Sequence, residues 1–132
     1  MELNEALYAY LSTYSGLTAL VGDRVYPAVE VPHGTPSPYI TYQEIDNPQI
    51  HTSGTDDGPY RPRYQFNCWG RTYNESCIVA VQLRAALKDK TGQIGGESGV
   101  TLQRAFLEDE NELLDETTKL KAKALDFIIW HE

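Results

Sequence analysis

The chain reads as an α+β protein. A mainly antiparallel sheet of about four strands packs with helices on one side, in the order α-β-β-α-β-β. Three observations carry that reading. The first eleven or so residues repeat apolar side chains at helical spacing. Two segments near the middle, PYITYQEI and RYQFNCWG, alternate and are rich in β-branched and aromatic residues. A second helical stripe then separates them from two further strand-like segments, VTLQRAFLED and the closing ALDFIIWHE.

The first helix covers residues 3–13. Leu3, Ala6, Leu7, Tyr10 and Leu11 recur every three or four positions and form one apolar stripe. Ser15-Gly16 interrupts it, and a short turn over Leu17–Val21 stops at Gly22. From Tyr26 to Pro38 the chain holds prolines at 27, 32, 36 and 38. Proline lacks an amide donor, so this stretch is expected to run over the surface rather than through the centre of a sheet.

Pro38–Ile45 is the first expected strand, with Ile40 and Tyr42 on one face and Tyr39, Thr41 and Ile45 on the other. The polar, unperiodic segment 46–62 follows and is expected to be a mobile hairpin loop. Arg63–Gly70 is the second strand. Tyr64, Phe66 and Cys68 share one face and Gln65, Asn67 and Trp69 the other. Gly70 ends it, and Thr72-Tyr73-Asn74-Glu75 matches a capping box that opens a helix over about 73–89. Ser76, Val79, Ala80, Leu83 and Leu87 form the inner stripe of that helix, while Cys77, Ile78, Val81 and Ala85 make a second, weaker apolar side.

Thr91–Gly99 is glycine-rich but lacks both GK[ST] and GxGxxG, so it is read as a link, not a phosphate loop. Val100–Asp109 is the third strand. The acidic run EDENELLDE, Glu108–Glu116, carries six acids and no base, and a loop is expected over about 108–118. The fourth strand spans Thr117–His131. Its Lys119, Lys121 and Lys123 share a phase with Leu125, Phe127 and Ile129. Either the strand begins beyond the core and enters it, or a bulge lies near Ala124. Lysines and acids on adjoining halves of one hairpin are placed to pair across it.

The 132 residues suit one domain, 1–132, and one core. No run approaches the roughly 18 apolar residues of a membrane helix, so no membrane partner is expected. The first residues, MELNEALYAY, have no basic, apolar leader pattern, so the protein is expected to stay in the cell that makes it. Its two cysteines are expected to be free thiols. A net charge of −8 opposes phosphate-neutralising nucleic-acid binding.

Catalytic patterns are missing: HExxH, GxSxG and CxxC do not occur, and His33, His51 and His131 stand apart. His51 with Asp56 and Asp57 lacks ligand spacing, so no metal and no cofactor is expected. Tyr8, Tyr39, Tyr42, Tyr64 and Tyr73 suit either interface anchoring or core packing.

Several pieces, in order, resemble one family. ALYAYLSTYSGLTALVGDRVYP, PSPYITYQEI, YQFNCWGRTYNESCIVAVQLRAAL and ALDFIIWHE are similar to successive segments of the tail-terminator, or tail-completion, proteins of long-tailed phages and prophages. The segments 46–62 and 108–118 carry no matching pattern. The resemblance implies a structural virion protein, not an enzyme, assembled in the host cytoplasm. It implies a ring, six-fold like the tube, on the head-proximal end of the tail. Such a ring ends tube polymerisation and joins the head. Its partners would be further copies of itself, the tail-tube protein and a head connector or stopper. DNA would cross the channel without specific binding.

Two other readings differ from it: a head-side adaptor or stopper ring, and a small enzyme. The candidate subunit contact comprises Ile78, Val81 and Ala85 with Lys119, Lys121 and Lys123. Candidate partner-docking residues are Ile50, His51, Asp56, Asp57 and Tyr60 in one loop and Glu108, Asp109, Glu110 and Glu112 in the other.

Overall fold

The computed structural model describes residues 2–28, 30–32, 34–47, 60–117 and 119–131. Three helices, α1 (Leu3–Leu11), α2 (Ser15–Val21) and α3 (Tyr73–Leu87), accompany six strands. The strands are β1 (Val25–Pro27), β2 (Tyr39–Asp46), β3 (Arg63–Gly70), β4 (Gly92–Ile94), β5 (Val100–Leu114) and β6 (Lys121–His131). They form one sheet in the order β1-β2-β3-β6-β5-β4. β1 lies parallel to β2, and every other neighbour is antiparallel.

The four-stranded antiparallel expectation is therefore corrected: the sheet has six strands, is mixed, and curls into a half-barrel rather than lying flat beneath helices on one side. The curl is visible in the packing. α1 touches both β1 and β4, the opposite edges of the sheet, while α3 lies on the central β3 and β6. β-bulges at Ile45 in β2 and at Gln103 and Glu108 in β5 supply local bend and twist. The two in β5 also keep Ala105, Leu107, Glu110 and Glu112 on its inner face, opposite Ile129, Phe127, Leu125 and Lys123 of β6.

Both unexpected strands are three-residue edges, too short to show a period. β1 lies in the proline-rich stretch and ends at Pro27, where an edge strand tolerates the missing donor. The Ile40 amide donates to the Arg24 carbonyl (3.0 Å), and the Arg24 guanidinium donates to the Pro38 carbonyl (3.0 Å), which fastens β1 to β2. β4 is formed by the glycine-rich link. The acidic run is not a loop from Glu108 either. Residues 108–114 are the distal half of β5, because their backbone pairs with β6 whatever their side-chain charge.

The core is one cluster to which the sheet's inner face and all three helices contribute. Its centre is aromatic: Phe66 and Phe127 are both fully buried and meet edge to face, with ring centroids 5.8 Å apart. The inner stripes of α1 and α3 are buried as their spacing requires. The Tyr10 hydroxyl donates to the Ala86 carbonyl (2.7 Å) and ties the two helices together. Tyr42 and Tyr64 are core residues, whereas Tyr73 is 52% exposed. Cys68 is buried, and both cysteines are free thiols.

The corner between β3 and α3 forms much as YQFNCWGRTYNESC suggests. The Glu75 amide donates to Thr72 Oγ1 (3.1 Å), while the Glu75 carboxylate accepts from the Arg71 amide (3.0 Å) instead of reaching Thr72. Gly70 is required for space. A Cβ there would sit 2.7 Å from the Ser76 amide nitrogen and 3.0 Å from Glu75 Cβ. Gly70→Ala is expected to lower stability by about 1–3 kcal/mol, as overpacking does. The denaturant midpoint should fall with an unchanged slope; an unchanged midpoint would show that the corner can open without cost.

Candidate functional site

The inner stripe of α3 faces the core, and this rotation turns Ile78 and Val81 outward, 45% and 51% exposed, with Ala85 exposed beside them. Positions i, i+3 and i+7 form a continuous row on the helix surface. Cys77 is half-buried at its margin.

The neighbouring hairpin is fixed to the start of α3 by charge. Lys123 stands opposite Glu112 across β6 and β5, with Nζ 3.8 Å from Glu112 Oε1 and over the Tyr73 ring. The Tyr73 hydroxyl donates to the same carboxylate (2.7 Å). That hydrogen bond is the main reason the Tyr73 phenol titrates above its ordinary range. One turn before the helix ends, the Arg84 guanidinium grips Glu110 Oε1 through two nitrogens, at 2.8 and 2.9 Å. Glu110 and Glu112 are thus held against α3, although Glu112 stays as exposed as Glu108 and Asp109, which have no such tie.

Lys121 lies at the first position of β6, and its Nζ donates to the Arg71 and Lys119 carbonyls (3.4 and 3.3 Å). Lys119 precedes the strand at positive φ and pairs with Glu116 at 3.9 Å. Lys121 and Lys123 share the inner face with Leu125, Phe127 and Ile129. The register of β6 against β3 is unbroken from Lys121 to Ile128, so the strand enters the core without a bulge at Ala124. Cross-strand pairing of lysines with acids is observed at Lys123 and Glu112.

Of the other docking candidates, Ile50, His51, Asp56 and Asp57 lie outside the described residues. Tyr60 is anchored by paired backbone hydrogen bonds with His131 (2.8 and 2.9 Å), and their rings stack. A cavity of about 720 Å³ opens nearby between the start of α1 and strands β2, β3 and β6. Tyr42 and Tyr64 line it, and burial pushes both phenols up, so they stay protonated near neutral pH. Burial likewise pushes the Cys68 thiol up and keeps it from being a nucleophile.

On the outer face of the sheet, Trp69 Nε1 donates to Thr41 Oγ1 (3.1 Å), and the Arg63 guanidinium pairs with the mostly buried Asp126 (3.0 Å). Neither pairing was singled out from sequence, because both depend on register between strands far apart in the chain.

No curated protein matches this chain. In a solved structure titled "Virion of native gene transfer agent (GTA) particle", one chain superposes with a TM-score of 0.77 at 18% identity, over 98% of this chain and 94% of that one. That likeness shows a shared fold. The sequence itself matches the family model "Tail completion protein gp17" over residues 5–132, in agreement with the ordered resemblance of its segments. With nearly its whole length matched, the chain belongs to that tail-completion family and is a structural protein of a phage-type virion.

Proposed function

We propose that this protein closes into a ring on the head-proximal end of the tail tube, ends tube polymerisation and offers the surface on which the head connector or stopper docks. The observation that carries the proposal is the exposed row Ile78–Val81–Ala85 on a helix whose opposite face is buried, in a chain of the tail-completion family. A single domain gains nothing by exposing such a row; a head-to-tail contact repeated around an axis covers it in every copy. Six copies match a six-fold tube.

Lys119, Lys121 and Lys123 are assigned to the same contact region; Lys121 and Lys123 hold the hairpin against the start of α3, and Lys119 pairs with Glu116 within the turn. Segment 46–62 and the acids of β5 are assigned to contacts with the tube and the head. A net charge of −8 suits a channel that DNA crosses without adhering.

Electron microscopy of particles made without the gene tests the role. Tails of uncontrolled length, unattached to filled heads, are the expected result. Normal-length free tails beside heads that leak DNA would move the protein to the head side. Intact infectious particles would overturn the assembly role.

A further inference from the structure

We infer that the outer edge of β5 from Leu107 to Leu114 receives an extended, basic segment of another protein as an added strand of the sheet. The observation that carries this is an unpaired strand edge. β4 covers β5 only at Val100–Leu102, and the Asp89 amide then donates to the Ala105 carbonyl (2.9 Å). Beyond that point, among the described residues, β5 makes backbone hydrogen bonds with β6 alone. Alternate amides and carbonyls of a full strand length therefore face outward. The Glu110 amide is met locally by the Asp109 carboxylate (2.9 Å). No proline or lysine interrupts this edge, although natural sheets use both to block edge pairing, and past the bulge at Glu108 the register from Asp109 to Leu114 is unbroken.

Charge and apolar exposure define the occupant. Glu108 and Asp109 are exposed acids, while Glu110 and Glu112 are already engaged by Arg84 and Lys123. From Glu108 to Glu116 there is no basic residue. Leu113 and Leu114 are 43% and 53% exposed at the distal end. A strand with Lys or Arg at alternate positions and apolar residues between would meet the backbone edge, the Glu108 and Asp109 carboxylates and the leucines together.

A second copy of this chain is a poor donor. Its β1 edge is only three residues long, ends in proline, and is flanked by Asp23 and Glu30. Two β5 edges placed together would set acid against acid. The occupant is therefore a different protein that carries a basic, extended arm.

The probe is a capped peptide of about eight residues alternating lysine and valine, a typical strand length, titrated into the isotope-labelled full chain. Amide shifts and slowed exchange confined to Leu107–Leu114 and adjoining residues of the hairpin are expected. The same peptide with alternate backbone nitrogens methylated should bind at least about tenfold more weakly, since it cannot complete the ladder. The double substitution Glu108→Lys with Asp109→Lys should weaken the unmodified peptide by a similar factor. No binding, shifts centred elsewhere, or equal binding of the methylated peptide would overturn the inference. These readouts report on β5 directly, so they stand apart from whether copies close into a ring.

Discussion

Replacing Phe127 with alanine is expected to remove about 3–5 kcal/mol of folding free energy, the usual cost of deleting a buried aromatic ring. Phe127 is fully buried on β6, between Tyr64 of β3 and Leu107 of β5. Its ring meets Phe66 edge to face, and Phe66 in turn lies against Tyr64 and Tyr42, with centroids 6.1 and 6.3 Å away. The vacated space is bounded by strands on both sides and cannot collapse easily. Against a total stability of about 5–15 kcal/mol the loss is large. Phe127→Leu keeps most of the volume and is expected to cost less than about 2 kcal/mol. Chemical denaturation of both variants checks this. A loss below about 1 kcal/mol in the alanine variant would show that the centre of the half-barrel is not where its stability resides.

The paired substitution Ile78→Glu and Val81→Glu is expected to abolish ring formation and leave the monomer folded. Both side chains are about half exposed, so the isolated domain should change by no more than about 0.5 kcal/mol for each. In a closed ring the same change sets two carboxylates into an apolar contact in every copy. The cost of burying an unpaired charge is then repeated around the circle. Light scattering coupled to size exclusion reads the assembly, and circular dichroism with a melting curve reads the fold. A ring of normal mass from the double variant would remove this face of α3 from the contact. A collapsed melting curve would show instead that Ile78 and Val81 support the core.

The segments that were legible carry a period and a stop. β3 ran from Arg63 to Gly70 as read, because alternation and a glycine bounded it. α3 started at Tyr73 because Thr72 caps it. The outward row of α3 could be named in advance, since the buried stripe fixes which positions are left. The segments misread are those where local composition opposed the backbone's final pairing. β1 and β4 are three-residue edges among prolines and glycines, and they form only because β2 and β5 offer them a ladder. Acidity made residues 108–114 read as a loop, yet β6 recruits them, Arg84 and Lys123 balance the charge of Glu110 and Glu112, and the Tyr73 hydroxyl donates to Glu112.

By itself, then, the sequence determined helices α1 and α3, the hairpin pairs β2–β3 and β5–β6, the buried faces and the family. Each is written in local periodicity, capping or an ordered set of motifs. Only the tertiary structure decided the number of strands, the parallel edge, the curl and the free edge of β5. Each of those depends on which backbone groups meet across long stretches of chain and where bulges bend them, and no local pattern encodes that meeting.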